Sequence, residues 1–321
     1  MSIAIIGATG KLGGATLSAL LSQKLAPASN IVALTSSAPG SDKWQQLESQ
    51  GVQVRHATFE DAASLEKSLR DVERFFLVST PRIELDYNDA PEGSGREKHH
   101  KTAIDAAVAA GVGHVYYSSL GFGSPSKSGV MRAHIRTEAY LESLQKDGKV
   151  KVTVLREGLY NESWPLYLGY FFDMQNDERG TVKLGGDGKI CWTAIADLGV
   201  ANALVLTQPA EEWAGKTCHL STAPEGARDM KEIAALVSEA RKESGKKPEV
   251  KVEIVGRKEH ERHYVEDRGM DRPAVEWWAA TYDALEDGEC LIDDSTLGRL
   301  LGSVGKTAVP IEETVKAMVS K

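Results

Sequence analysis

Three glycines near the start of the chain are spaced as in a phosphate-binding turn. Residues 7–14 have the sequence GATGKLGG and follow the apolar run IAII. In this pattern Gly7 permits a tight turn, Gly10 lets the backbone approach a pyrophosphate, and Gly13 lets the next helix pack close to the strand. The N–H groups at the start of that helix face the anion. The pattern therefore predicts a dinucleotide site; the competing interpretation is a glycine turn in an α/β protein that binds no nucleotide.

The charges around this turn favour the phosphorylated dinucleotide. Residues 1–41 contain no Asp or Glu, and Lys11 lies within the turn. NAD-selective sites place an acid about 20 residues beyond the glycines, bonded to the ribose 2′-hydroxyl. In this chain hydroxyl residues, including Ser36, occupy the position of that acid. The first acid of the chain is Asp42, directly before Lys43. We therefore predict NADP(H), with Ser36 and Lys43 near the 2′-phosphate, although an exposed loop position explains Lys43 equally well.

Apolar runs and helical patterns alternate over the first half of the chain. Such alternation with short connections predicts an α/β fold of the Rossmann type, a doubly wound parallel sheet with helices on both faces. We expect strands at residues 3–6, 31–34, 52–55, 75–78, 115–118 and 150–155. We expect helices at residues 11–23, 44–50, 62–69, 97–110 and 133–144.

The second half has a mixed pattern and predicts a smaller α+β C-terminal lobe. We expect a cofactor domain at residues 1–156 and a substrate lobe mainly at 157–321, with some segments of the second part returning to the sheet. Residues 181–192 are typical of a β-hairpin around the glycine-rich run 185–188, because such residues tolerate positive φ. We expect a helix to begin near Asp197 with its carboxylate as the cap. Later helices are expected at residues 230–244, 258–266, 275–285 and 311–320.

Composition excludes several classes of protein. The chain has 46 acidic and 38 basic residues, a net charge of −8, which argues against nonspecific nucleic-acid binding because that needs a basic face. No stretch approaches the ~20 apolar residues of a membrane span, and the N-terminus lacks the basic start of a signal peptide. Cys191, Cys218 and Cys290 are widely spaced, so we expect reduced thiols in a cytoplasmic protein and no metal site.

Six longer stretches of the sequence resemble a known protein family. They are GATGKLGG at 7–14, FFLVSTP at 75–81, AAVAAGVGHVYYSSLG at 106–121, VLREGLYNES at 154–163, DGKICWTAIADLGVANALVL at 187–206 and AGKTCHLS at 214–221. Together they make the chain resemble the NmrA-like family of atypical short-chain dehydrogenases, best over residues 1–222. The resemblance implies a Rossmann domain, a smaller lobe, and NADP(H) in the cleft.

The resemblance also implies the residues that hold the cofactor. Thr9, Gly10, Lys11 and Leu12 would hold the pyrophosphate. The remaining contacts would come from strand ends and the loop after the sixth strand: Thr58 and Phe59 near the adenine; Val78, Ser79 and Thr80 at the adenosine or nicotinamide ribose; Ser118, Ser119 and Leu120 at the nicotinamide; Tyr160 and Asn161 beside it.

The usual catalytic pair of short-chain dehydrogenases is missing. Those enzymes place a Tyr and a Lys four residues apart on one helix, so that the Lys lowers the pKa of the phenol. No Tyr-x-x-x-Lys occurs in this chain. The lysine that NmrA-like proteins often keep near the start of that helix is also absent, and either Arg132 or Ala133 takes its place.

Four residues are our candidates for catalysis. His134 is suited to donate a proton near neutral pH, or else forms a structural pair with Glu138. Arg132 either binds a substrate anion or the ribose, or is solvated. Ser119 either bonds a substrate carbonyl or ends its strand, and Tyr160 is an alternative proton donor.

Other polar and aromatic residues receive structural interpretations. We expect His99 and His100 on a solvated helix face, because adjacent residues point in different directions. Tyr117 is expected in the core with a lesser claim to the pocket, and Trp277 and Trp278 in the packing of the lobe.

Three functions are compatible with these residues. The first is an NADPH-dependent reductase that transfers hydride to a small quinone, enone or imine, since quinone and imine acceptors demand little from a protein acid. The second is an NADPH/NADP+ redox sensor that acts through a protein partner. The third is a redox-silent enzyme with a structural NADP.

Overall fold

The computed structural model describes residues 1–171, 179–245 and 249–320. These residues form nine strands: β1 (Ile3–Ile6), β2 (Ile31–Thr35), β3 (Gln53–His56), β4 (Arg74–Val78), β5 (His114–Leu120), β6 (Lys151–Glu157), β7 (Thr181–Leu184), β8 (Lys216–Leu220) and β9 (Lys251–Ile254). The six strands expected from the sequence are β1 to β6, each within two residues of its predicted ends.

The α-helices of the described residues are α1 (Lys11–Ser22), α2 (Asp42–Glu48), α3 (Ala62–Ser68), α4 (Glu97–Ala109), α5 (Met131–Lys146), α6 (Trp164–Tyr167), α7 (Ile195–Thr207), α8 (Ala210–Trp213), α9 (Met230–Glu243), α10 (Arg257–Arg262), α11 (Arg272–Glu286), α12 (Thr296–Ser303) and α13 (Ile311–Val319). Helix α10 continues into a π-helical turn, His263–Asp267. None of the described helices is both long and apolar enough to cross a bilayer.

Seven strands form one parallel sheet in the order β3-β2-β1-β4-β5-β6-β8. The predicted Rossmann fold is therefore confirmed. The chain moves outward in one direction from β1 to β3 and in the other from β4 to β8, so the strand order reverses between β1 and β4. In open parallel sheets ligands bind beyond the carboxyl ends of the strands at such a reversal, which places the glycine turn at the crevice.

Two helical layers cover this sheet. Helices α1, α7 and α12 pack on one face, and α3, α4 and α5 on the other. A Cβ on Gly199 of α7 would lie 2.6 Å from the carbonyl carbon of Ala15 in α1, so this glycine permits the close contact of the two helices. The segment from α7 to β8 thus returns to the sheet after the first part of the lobe.

The lobe has its own apolar core, built around α6, α9, α11 and α13. The predicted hairpin at residues 181–192 is wrong, because β7 pairs in parallel with the distant strand β9. The glycines of this region do not adopt positive φ. They are needed for close approach instead: a Cβ on Gly188 would lie 2.1 Å from the carbonyl oxygen of Leu285, and one on Gly185 3.0 Å from the ring of Tyr282.

The start of α7 also differs from the prediction. Asp197 lies inside the first turn, where its carboxylate accepts a hydrogen bond of 2.7 Å from the Val309 N–H and so ties α7 to the segment before α13. The carboxylate of Glu162 takes the capping position, accepting from the Ile195 N–H at 3.2 Å. A tertiary contact has replaced the local cap.

Candidate functional site

The turn between β1 and α1 has the geometry of an anion cradle. Gly7 has a φ of +75°, which favours glycine, and its carbonyl accepts the Gly10 N–H at 2.8 Å. A Cβ on Gly13 would lie 2.3 Å from that same carbonyl oxygen. Because only glycine lets α1 begin so close to the turn, the structural roles predicted for Gly7 and Gly13 are confirmed.

The first turn of α1 presents N–H groups that the helix does not use. The first intrahelical bond runs from the Gly14 N–H to the Gly10 carbonyl at 2.9 Å, so the N–H groups of residues 11–13 have no acceptor within the helix. No described side chain caps this end, and the first turn contains no acid. An anion at the cradle would pair these groups and meet the positive end of the helix dipole.

Polar side chains lie around the open side of the cradle. Thr9 and Lys11 are exposed, whereas Leu12 is buried and anchors α1 in the core. Thr9 and Lys43 line a crevice of about 680 Å³ between α1 and α2, and none of the described residues that line it is acidic. Ser36 is exposed directly after β2. These surroundings fit a phosphate-bearing ligand.

The end of β3 offers a flat apolar surface. Phe59 stacks on His99 with ring centroids 5.9 Å apart and an interplanar angle of 4°. Burial lowers the pKa of His99. The hydroxyl of Thr58 donates to the carboxylate of Glu60. That Thr58 and Phe59 contact the adenine stays a prediction.

Hydrogen bonds tie the end of β4 to the end of β5 and to helix α4. The Ser79 N–H donates to the Ser118 hydroxyl at 3.0 Å, and the Thr80 N–H donates to Nε2 of His100 at 3.1 Å. Val78 is half-buried and would lie 3.6 Å from a Cβ on Gly7. The strand ends predicted to meet the ribose and the nicotinamide therefore adjoin the cradle.

Behind these strand ends lies a buried polar network that the sequence analysis did not anticipate. His100 is 0% exposed, so the expected solvated face is wrong for this residue. Since its Nε2 accepts from Thr80, the proton of the neutral ring sits on Nδ1, which lies 2.8 Å from the Thr137 hydroxyl. The Tyr117 hydroxyl joins the network at 2.9 Å from Nδ1 of His134.

His134 is part of this network and is 4% exposed. Burial, reinforced by the charge of Arg96, holds the pKa of both His134 and His100 well below the ordinary value. Both rings are therefore neutral at neutral pH. This environment gives His134 no imidazolium proton to donate there, contrary to what its residue type suggested.

Arg96 fastens the loop after β4 to the same region. Its Nε donates to Asp86 Oδ2 at 2.6 Å and one of its terminal nitrogens donates to the Val130 carbonyl at 2.8 Å. The Arg96 side chain is 4% exposed and that of Asp86 is 2% exposed. A buried ion pair thus anchors the loop after β4.

Two further catalytic candidates have structural partners. The Ser119 hydroxyl donates to Glu138 at 2.5 Å, and that carboxylate also forms a two-point ion pair with Arg156 at 2.6 and 3.1 Å. Ser119 therefore points toward α5, on the opposite face of β5 from Ser118. Arg132 pairs with Asp89 of the loop after β4 at 2.6 Å.

Tyr160 and Asn161 lie in the loop after β6. The Asn161 N–H donates to the Thr193 carbonyl at 2.9 Å, and its side-chain amide donates to the Val309 carbonyl at 3.2 Å. Burial, followed by the charges of Glu157 and Glu162, raises the pKa of Tyr160. Its phenol therefore keeps its proton at neutral pH and can donate a hydrogen bond.

Glu157 was not selected by sequence reasoning. It ends β6, is 0% exposed, and neither carboxyl oxygen has a hydrogen-bond partner among the described residues. Burial raises the pKa of this carboxyl well above its ordinary value. The signal that could have found it is an acid at the carboxyl end of an otherwise apolar central strand, directly before the Gly158 turn.

The described residues contain no group of three or more His, Cys, Asp and Glu side chains arranged to hold a metal ion. The three cysteines are free and buried. Burial raises the pKa of Cys218 to about 12. Thiols in such surroundings behave as small apolar side chains rather than as nucleophiles.

Comparison with known proteins agrees with this architecture. The model of the NmrA-like family matches residues 1–262. The chain is similar to quinone oxidoreductase 2 of Escherichia coli, with 34% identity over 249 residues, 76% of this chain and 75% of that protein. It is also similar to the NmrA-like family domain-containing oxidoreductase flvB of Aspergillus flavus, with 29% identity covering 99% of this chain and 95% of that protein.

Solved structures resemble the whole chain as well. Triphenylmethane reductase of Citrobacter sp., crystallised with NADP(H), superposes with a TM-score of 0.77 and 29% identity over 98% of this chain and 99% of that one. The NADPH complex of the Escherichia coli quinone oxidoreductase superposes with a TM-score of 0.76 and 29% identity over the same shares.

Proposed function

The chain belongs to the NmrA-like family, and on this premise we propose that it is an NADPH-dependent reductase of a small quinone, enone or imine. It is an oxidoreductase that binds NADP(H). The observation that carries the proposal is the acid-free cradle at the start of α1, because its unused N–H groups suit a pyrophosphate. When bound, NADPH supplies the hydride.

Different residues around the cradle would bind different parts of the cofactor. The N–H groups of residues 11–13 would hold the pyrophosphate, and Ser36 and Lys43 the 2′-phosphate, which no carboxylate in the adjoining crevice repels. Val78 and Ser118 lie at the strand ends next to the cradle, where they would meet the nicotinamide half. The protein orients the cofactor and excludes water.

Reduction of a carbonyl or quinone oxygen also requires a proton. Of the four candidates, His134 is buried and neutral, while Ser119 and Arg132 are paired with carboxylates. Tyr160 keeps a protonated phenol in the loop after β6, the strand that pairs with β5 and its Ser118. We assign the donation of this proton to Tyr160.

The test is NADPH oxidation, followed by dihydronicotinamide absorbance, against a panel of quinones, enones and imines. NADPH binding is measured on the same sample. We expect turnover with one class of acceptor. Tyr160→Phe should lower kcat by about tenfold or more while leaving the Kd for NADPH unchanged. Tyr140→Phe, which removes a phenol on the surface of α5, should change neither quantity.

A failure to oxidise NADPH would favour one of the other two functions. Tight NADPH binding without oxidation by any acceptor would contradict the reductase. A difference in affinity for the two redox states, or in binding of a protein partner, would then support the sensor. Turnover of a substrate without change in the cofactor would support the redox-silent enzyme.

A further inference from the structure

The two residues directly after β4 form a turn beside the cradle. Strand β4 ends at Val78, whose Cβ would lie 3.6 Å from a Cβ on Gly7. Ser79 and Thr80 therefore follow at the edge of the sheet where the strand order reverses. In the proposed function this turn contacts the nicotinamide half of the cofactor, so the position of its backbone affects how that half is bound.

Side chains from β5 and α4 hold the backbone N–H groups of this turn. The Ser79 N–H donates to the Ser118 hydroxyl at 3.0 Å, and the Thr80 N–H donates to Nε2 of His100 at 3.1 Å. The Ser79 hydroxyl also lies 3.1 Å from the same ring nitrogen. Since His100 belongs to α4, a single side chain of the flanking helix contacts both residues of the turn.

The hydrogen bonds around His100 permit only one neutral form of its ring. The Thr137 hydroxyl donates to the Ala133 carbonyl at 2.7 Å, so it acts as an acceptor toward Nδ1 of His100, 2.8 Å away. Nδ1 therefore carries the proton and Nε2 is an acceptor. The Thr80 N–H requires the same arrangement from the other side of the ring. Two independent contacts thus fix the ring with its acceptor nitrogen toward the turn.

Packing alone does not require a histidine at this place. The ring is 0% exposed and lies against Tyr117, with ring centroids 5.4 Å apart, where an apolar side chain of similar size would also fit. Such a side chain would leave the Thr80 N–H without its acceptor inside the protein, and the backbone would have to move to find another. Arg96 does not replace that acceptor, because its guanidinium can only donate and contacts the Ser79 hydroxyl at 3.4 Å.

We propose that His100 is a positioning residue for the cofactor: it fixes the turn of Ser79 and Thr80 that the nicotinamide half contacts, without touching the cofactor itself. This inference rests on the proposed function for the place of the nicotinamide half, but not on the acceptor that is reduced. Because the turn is held before the cofactor binds, binding does not have to order it. Loss of His100 should weaken binding of the nicotinamide half and spare the adenosine half.

The experiment compares two ligands that share the adenosine half. NADPH has both halves, whereas 2′,5′-ADP has the adenine and the phosphorylated ribose but no nicotinamide. Titration calorimetry of the full chain measures the Kd for each. In His100→Leu the Kd for NADPH should rise about tenfold, while that for 2′,5′-ADP should stay within about twofold of the wild type. An equal loss of affinity for both ligands, or no loss for either, would overturn the inference.

Two further variants separate positioning from general stabilisation. His114→Leu removes another buried histidine, whose Nε2 lies 2.8 Å from the Thr153 hydroxyl at the opposite, amino end of β5. It should lower the urea midpoint but keep the wild-type ratio of the two Kd values. His100→Gln should restore that ratio, because its amide oxygen can accept from the Thr80 N–H. A ratio that changes as much in His114→Leu or His100→Gln as in His100→Leu would contradict the positioning role.

A measurement on the unmodified chain does not depend on any variant folding. With ¹⁵N-labelled histidine, NMR distinguishes which ring nitrogen carries the proton. His100 should carry it on Nδ1. Saturating NADP+ should shift the signals of this ring, whereas 2′,5′-ADP should leave them in place. A proton on Nε2, or a ring that responds alike to both ligands, would refute the proposal.

The two proposals fail in different ways. A chain that binds NADPH but reduces no acceptor contradicts the reductase, and the ratio of the two Kd values still tests the role of His100. A chain that reduces quinones, but in which His100→Leu weakens both ligands equally, keeps the reductase and loses the positioning residue.

Discussion

The side chains that could transfer protons in this molecule differ mainly in their surroundings. His134 has the residue type of a general acid, but burial beside Tyr117 and His100 makes it a neutral member of the core. Glu157 has the residue type of a charged surface group, but burial at the end of β6 makes it a neutral carboxyl group. The pKa, and with it the role, is set by desolvation rather than by the residue alone.

Gly13 should be the most sensitive position of the cradle. In Gly13→Ala the new Cβ would lie 2.3 Å from the Gly7 carbonyl, so the turn must shift away from α1. We expect a loss of about 1–3 kcal/mol in the free energy of unfolding and at least a tenfold weaker affinity for NADPH. Gly298→Ala, in α12 with open space around it, is the control and should stabilise by about 0.5 kcal/mol. Unchanged NADPH affinity in Gly13→Ala would refute the cradle assignment.

Two arginines allow a comparison of buried and exposed ion pairs. Arg96→Met leaves the buried Asp86 carboxylate unpaired, which should cost about 3–5 kcal/mol in urea unfolding. Arg132→Met removes a pair whose acid is 91% exposed and should cost under about 1 kcal/mol. Equal losses in the two variants would contradict the interpretation of Arg96 as the anchor of the loop.

At the scale of elements, the crossing of α1 and α7 holds the cofactor side of the sheet together. The two helices touch where Gly199 faces Ala15, in the second turn of α1. Helix α7 also covers Glu157 through Asn202, and its start is held by Glu162 and Asp197. One helix therefore supports both the cradle helix and the buried acid.

Gly199→Ala should separate α7 from α1. Its Cβ would lie 2.6 Å from the backbone of Ala15, an overlap that side-chain rotation cannot relieve. We expect a loss of about 1–3 kcal/mol in stability, seen as a lower urea midpoint with the slope unchanged. Gly302→Ala in α12 meets nothing within 4 Å and is the control. Wild-type stability in Gly199→Ala would show that the helix contact is looser than described.

At the scale of the whole molecule, buried histidines set the response to acid. His114 and His260 are 2% and 0% exposed, and burial lowers the pKa of each to about 4. His100 and His134 are lowered as well. All four stand in the core of a folded chain whose unfolded form would protonate them near pH 6.5.

The free energy of unfolding should therefore fall as the pH drops from 6.5 toward 4. A histidine whose pKa is depressed by folding contributes stability above its unfolded pKa and loses it below. For His114 and His260 the shift from 6.5 to about 4 corresponds to about 3 kcal/mol each. Urea unfolding at pH 7.5, 6.5 and 5.5 measures the slope.

One variant measures how much of this pH dependence of the free energy of unfolding comes from a single histidine. His114→Gln removes one titrating group, so the fall per pH unit below 6.5 should decrease by up to about 1.4 kcal/mol. Glu157 acts in the opposite sense, because its pKa is raised by folding and its contribution is lost as the pH rises above 4.5. A pH-independent stability between 7.5 and 5.5 would contradict neutral buried histidines.

The sequence by itself determined the Rossmann half of the molecule. Its first six strands are short apolar runs separated by helical periodicities, and local patterns of this kind depend little on distant contacts. The cradle followed from glycine spacing, since the need for a tight turn and a close helix is a property of the backbone. The absence of acids around it was sufficient to favour NADP(H).

Only the tertiary structure decided the pairing of β7, the cap of α7 and the identity of the buried polar groups. Residues 181–192 resemble a hairpin locally, yet β7 pairs with β9, about 70 residues later. His100, His134 and Glu157 acquired their protonation states from neighbours on other strands and helices. Desolvation depends on everything that packs around a group, and residues far apart in the chain supply that packing.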